Sequence, residues 1–152
     1  MSVIGQGVTL RGFHFEDSLF TYNLATGITR ADVGKAMTLD TTAANKMKLA
    51  GDGDPIFGRL ETVEDRSVEG VLVGTVALRF SGVLPVDNAD FAGISIGDEV
   101  QGSGDGAVKS LAAYVDTDGT GDPEVTANTH QKSNFVVEKI DGDTKFVVVQ
   151  KV

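Results

Sequence analysis

A chain of 152 residues can bury roughly 70% of its unfolded surface in one domain, so its core needs no disulfide or metal staple, and it has no cysteine to form one. That lack excludes thiolate zinc sites and a Cys nucleophile as well. Twenty-two acidic residues against 13 basic ones leave a formal charge of −9 with no basic cluster to grip phosphates, so the expected partners include neither nucleic acid nor an anionic membrane.

In chain order, Val3 to Phe20 opens the sequence with a period-two stretch, Val8 and Leu10 on one side and Thr9, Arg11 and Phe13 on the other. Phe13, Phe15 and Phe20 crowd this region with apolar area. It reads either as a first strand or as an N-terminal arm that docks on a partner, since chain ends stay loose unless something ties them down. Residues 1–20 are therefore set apart from a single β-barrel-like body over 21–152. Met1 to Gly5 lacks the basic start and apolar stretch of a signal peptide, so a product that is cytosolic at synthesis is expected.

Asp32 to Lys35 reads as a turn, Ala36 to Leu39 as a short strand, and Thr41 to Asn45 as a helical turn or polar loop tip. Alternation resumes at Met47-Lys48-Leu49, and Ile56 to Val63 continues it with Phe57, Arg59 and Glu61 on one face. Gly58 inside that run suggests a bulge or sharp bend. Glu64 to Gly70 reads as a charged connection. Val71 to Phe80 is the strongest strand, apolar on both faces and so expected to be central and covered on both sides. Gly74, Thr75 and Arg79 interrupt it, so it cannot span a bilayer.

Val86 to Asp90, Ile96 to Glu99 and Gly102 to Gly106 are turns built from Gly, Asp and Asn, as is Ala50 to Pro55 earlier. Gly reaches positive φ without a steric cost and Asp bonds its own backbone, so such clusters reverse a chain. Ala107 to Val115 fits a strand better than a helix, and Asp116 to Lys132 reads as a long surface loop. Phe135 to Ile140 turns through Asp141-Gly142-Asp143 into Thr144 to Val152, a hairpin signature. The expected fold is all-β: a small Gly-rich β-barrel-like domain ending in the hairpin 135–152 and led by a strand or an extended N-terminal arm.

Residues equipped for chemistry are few. Asp116, Asp118 and Thr120 with Gly121 imitate the start of a calcium loop, but Ala127 stands where the bidentate Glu belongs, so a solvated turn is the expectation. Gly102 to Ala107 imitates a phosphate-cradling loop without the strand-then-helix context it needs. His14 and His130 stand apart from any acidic partner at a recognisable spacing. No catalytic residue, metal ligand or cofactor site is expected, and the protein is not read as an enzyme.

The stretches Lys35 to Leu39, Lys48 to Leu60 (with Gly51-Asp52-Gly53-Asp54-Pro55) and Gly70 to Val76 resemble the small capsid decoration, or head cement, proteins of tailed bacteriophages. Ile96 to Val100 followed by Gly106 to Lys109 fits the same pattern, so the likeness runs from Gly34 to Lys109. It implies a non-enzymatic structural virion protein that clusters, often as a homotrimer, on the outer face of a bacteriophage capsid and binds the major capsid protein. Val8, Leu10, Phe13 and Phe15 are the residues expected to touch that partner. The alternative is a ligand- or glycan-binding β-module of a virion fibre or tail.

Overall fold

Ten strands form among the described residues and the protein is all-β. The computed structural model describes residues 18–111, 134–143 and 145–151. The first half is a closed barrel of β1 (Leu19–Leu24), β2 (Ala36–Leu39), β3 (Lys46–Leu49), β4 (Gly58–Arg66) and β5 (Val71–Ala77), in the order β1-β3-β2-β4-β5. Closure removes the sheet edges that would otherwise invite pairing with other chains. The β1–β3 seam is parallel, with Leu24 opposite Met47, and the other seams are antiparallel. Leu24, Ile28, Met37, Met47, Leu60, Val63 and Val76 fill the interior.

The segment that carries β1 back to β2 is stiffened by a capped turn of 3-10 helix, Arg30–Asp32. Thr29 Oγ1 accepts the Ala31 N–H, and the Asp32 carboxylate accepts the Thr29 N–H at 2.8 Å and the Lys35 ammonium at 2.8 Å. The loop between β2 and β3 is held by Asp40, which accepts the Thr42 hydroxyl at 2.6 Å and the Thr42 N–H at 3.0 Å and pairs with Lys46 at 3.1 Å. Thr41 to Asn45 is thus a polar tip, with Asn45 at positive φ.

The Thr42 contacts, followed by Lys46, hold the Asp40 carboxyl down at about 2, against an ordinary value of 3.8. Asp32 is lowered too, chiefly by its bond to Lys35. A carboxyl depressed in the folded state binds fewer protons there than in the unfolded chain, so its contribution is complete above pH 3.8 and drains away as pH falls towards 2. Asp40→Asn is therefore expected to lower the urea midpoint at neutral pH, with the gap to wild type closing as the pH approaches 2. A gap that stays constant across that range would refute the assignment.

The second half comprises β6 (Ser81–Pro85), β7 (Val100–Gly104), β8 (Ala107–Ser110), β9 (Phe135–Asp141) and β10 (Phe146–Lys151). They form a sheet β6-β10-β9 and a hairpin β7-β8. Two single bridges, Val86 to Val108 and Glu99 to Val136, link the hairpin to both sides of that sheet. The ring β6-β10-β9-β7-β8 so outlined encloses Phe80, Leu84, Val86, Ile94, Val100, Val108, Phe135, Val137, Val147 and Val149. The β9–β10 register shifts between Val148 and Val149, so Val147 faces Ile140 while Val149 faces Val137. One extra residue in β9, Glu138, keeps both valines of β10 on the inner face.

Main-chain bonds stitch the halves together where small residues let backbones meet. Ala36 N–H donates to Gly106 O at 2.8 Å and Gly106 N–H to Ala50 O at 3.0 Å. Gly53 N–H donates to Gly102 O at 3.0 Å and Gly102 N–H to Asp54 O at 2.9 Å. Ala36, Ala50 and Ala77 from the barrel strands and their ends are buried in the core of the second half.

Several sequence expectations need correction. The bulge in β4 lies at Glu61, between the pairs Leu60–Val76 and Thr62–Thr75. Gly58 is instead a close approach, since a Cβ there would stand 2.5 Å from the Ala77 carbonyl oxygen. Glu64 to Arg66 belong to β4 itself, and a 3-10 turn, Ser67–Glu69, makes the reversal. β5 lies between β1 and β4, but in a closed barrel every strand has two neighbours and none is central, and its outer face is open: Val71 is exposed and Val73 half-buried. A barrel strand has one inner face, so apolar residues on both sides do not imply cover on both. The division at residue 20 also shifts, because Leu19 and Phe20 already pair with Ala77 and Val76 inside β1.

Candidate functional site

The outer wall of the barrel carries an apolar hollow where β1 begins. Leu19 of β1, Ala77 of β5 and Arg59 of β4 are cross-strand partners and so share one face. The chain then turns past Phe80 into β6, which places that buried ring beside them. Leu19, Arg59, Glu61, Ala77 and Phe80 together line a hollow of about 120 Å³. Its floor is apolar, with Ala77 and Phe80 buried, and Leu19 forms an open lip at 39% exposure.

Charge closes the other side. Arg59 Nε donates to Glu61 Oε1 at 2.6 Å, and its guanidinium lies 4.9 Å from the Phe80 ring centroid. Nη1 reaches the Val83 carbonyl at 3.4 Å, across to β6. Gly82 leaves room for that arm, because a Cβ there would collide with Nη1. The arginine is thus held by a carboxylate, a ring and a carbonyl, and it walls the hollow while spanning the two halves. Phe20, next along β1, is 49% exposed although it shares the strand parity of buried Leu24. Leu19 and Phe20 therefore present apolar surface at the point where the chain leaves residues 1–17.

Val8, Leu10, Phe13 and Phe15 lie outside the described residues, as do His14, His130 and Asp116 to Asp122. The Gly102 to Gly106 turn is described: it is the reversal of the β7-β8 hairpin, with Asp105 and Gly106 at positive φ. A strand follows it, so the phosphate-cradling likeness has no helix N-terminus to serve it. The other Gly-Asp turns spend their carboxylates on structure. Asp54 accepts the Gly51 N–H at 2.9 Å and pairs with Lys48 at 3.2 Å, while Asp52 pairs with Lys109 of the second half. Asp90 accepts the Ser103 hydroxyl, and Asp98 accepts the Ser95 N–H and the Ser110 hydroxyl. Among the described residues no group of three or more His, Asp or Glu side chains is placed to hold a metal ion.

Little in the sequence marks the hollow: the one signal is that Arg59 and Glu61 lie on one face of the same run. Their meeting with Phe80 and Gly82 depends on how the second half folds back. No protein-family model matches the chain, and no curated protein is significantly similar to it.

Proposed function

We propose that the protein is a non-enzymatic structural component of a tailed-bacteriophage head, which binds the major capsid protein on the outer capsid surface and stabilises the shell. In this reading it works as a homo-oligomer, a trimer, so that weak contacts at several sites add up. The observation that carries the reading is the apolar lip of Leu19 and Phe20 beside the hollow, at the exit of the aromatic-rich first segment. An extended segment continuing from such a lip can gain main-chain bonds from a partner while an apolar anchor fills a small hollow. Two barrel-like halves joined by backbone bonds supply the stiffness a fastener needs. The resemblance of Gly34 to Lys109 to head cement proteins supplies the partner class.

The test is decoration of expanded, undecorated phage heads by purified protein, read by co-sedimentation. The full chain is expected to saturate the heads. A chain lacking residues 1–17, and a full-length Leu19→Ser/Phe20→Ser variant, are expected to stay folded by circular dichroism and to lose binding by at least tenfold. Complete decoration by both would sink the assignment of this surface. Failure of the full chain to bind, together with affinity on a glycan panel, would favour a fibre or tail module instead.

A further inference from the structure

The seam that closes the barrel covers only the far end of β1. β1 meets β3 at Asn23–Lys46 and Leu24–Met47 alone, whereas β5 runs beside it from Leu19 to Asn23. Asn23 N–H donates to Asn45 O on the β3 side, and Ser18 O accepts the Leu78 N–H on the β5 side. Main-chain groups of an extended strand alternate between its two edges, so Leu19 and Thr21 turn theirs the same way as Asn23. Among the described residues no strand lies there to meet them. Leu19, Phe20 and Thr21 are exposed and Tyr22 is half-buried, as an open edge requires.

β4 has a comparable stretch, since no described strand pairs with it on the β2 side beyond Leu60. That stretch carries Glu61, Glu64, Asp65 and Arg66, the kind of charge with which proteins blunt an edge. The Leu19 to Tyr22 run of β1 carries none. An unblunted edge is a template for one more strand.

We infer that this edge takes an added strand from a second copy of the chain, formed by Val8 to Phe13. The inference rests on the homo-oligomeric part of the reading above and is independent of the capsid. The alternation of Val8 and Leu10 with Thr9, Arg11 and Phe13 gives such a strand apolar side chains on both faces. β1 offers apolar surface on both faces too, Leu19 by the hollow on one and Phe20 with Tyr22 on the other.

Reach and turn chemistry favour a second copy over the chain's own β1. Residues 1–17 join β1 at Ser18 and, extended, span about 55 Å. A domain of this length has a radius of gyration of about 15 Å, so the segment is long enough to cross to a neighbour. Folding back onto its own edge needs a reversal between Phe13 and Ser18, where Asp17 is the one turn former and Gly, Pro and Asn are absent. Each copy then gives one segment and takes one, a head-to-tail contact that closes into a ring, as in a trimer.

The experiment follows the full chain by sedimentation velocity without phage heads, so its failure and that of the capsid reading are seen separately. Wild type is expected to sediment as an oligomer. Thr21→Pro removes the outward N–H and sets a ring on the open edge, while the β5 side is served by Phe20 and Tyr22. Val8→Asp/Leu10→Asp instead charges the incoming strand. Each full-length variant, checked for folding by circular dichroism, is expected to associate at least a hundredfold more weakly. Mixed one to one they are expected to pair, because one keeps an intact edge and the other an intact segment. Should Thr21→Pro not fold, Val8→Asp/Leu10→Asp decides alone. An oligomer that survives in a folded variant overturns the inference, as does a mixture of folded variants that stays monomeric. So does a monomeric wild type, and slow exchange of its Leu19 and Thr21 amides would then mean that the chain covers its own edge.

Discussion

Gly102→Ala is expected to destabilise the protein by about 3 kcal/mol, near the upper end of what overpacking a close contact costs. The added methyl would collide with the Gly51 carbonyl oxygen and stand 3.2 Å from Ala50 Cβ and 3.3 Å from Asp54 O. The first and last of these are backbone atoms, so no rotamer change relieves the clash. The turn must withdraw, and with it go the bonds Gly53 N–H to Gly102 O and Gly102 N–H to Asp54 O that join the halves. Urea denaturation measures the loss. Gly93→Ala is the control, since nothing lies within 4 Å of a Cβ there and its φ is not positive. That change is expected to stay within about 0.5 kcal/mol of wild type. If both variants melt together, the seam at Gly102 does not hold the halves.

This seam also marks the limit of what the sequence discloses. Gly51 to Pro55 and Gly102 to Gly106 are legible as turns, because Gly and Asp announce a reversal wherever they cluster. That the two turns lie back to back is a fact about tertiary structure, and nothing local encodes it. β2, β3 and the hairpin of β9 and β10 emerge cleanly from period-two alternation and the Asp141-Gly142 signal. β6 does not, since Gly82 and Pro85 punctuate five residues and look like breakers. Gly82 is there to admit the Arg59 guanidinium, a demand made by a residue more than twenty positions away. The same logic applies at Gly58, where a glycine that looked like a bulge answers the carbonyl of Ala77. The parallel β1–β3 seam is equally invisible, because hairpin signals report neighbours in sequence and this pair has β2 between its members in the chain. The candidate surface fares as the seams do. Its residues come from β1, β4, β5 and the turn into β6, so it exists only once the barrel has closed and the second half has packed against it.

Phe135→Ala should produce the largest loss of any single truncation, roughly 3–5 kcal/mol. Phe135 is the largest of the fully buried side chains and shows no exposure, and its ring lies 4.9 Å from that of Phe80 at a tilt of 38°. Truncation forfeits the burial, leaves a cavity at the start of β9, and breaks an aromatic pair worth about 1 kcal/mol beyond its area. Single domains have only about 5–15 kcal/mol in total, so the variant stands close to global unfolding. The consequence reaches the candidate surface, because Phe80 is both the partner of Phe135 and the floor of the hollow at Leu19. Phe135→Leu, which keeps most of the volume, is expected to lose less than half as much and to preserve the proposed docking on phage heads. The decisive measurement is native-state amide exchange in both halves of Phe135→Ala. Ala36, Ala50 and Ala77 are shared with the damaged core, so Val76 in the barrel is expected to lose protection together with Val147 in β10. Protection retained at Val76 alone would mean that the barrel folds independently, and the hollow, built from both halves, would then lack the rigid floor that the proposed docking requires.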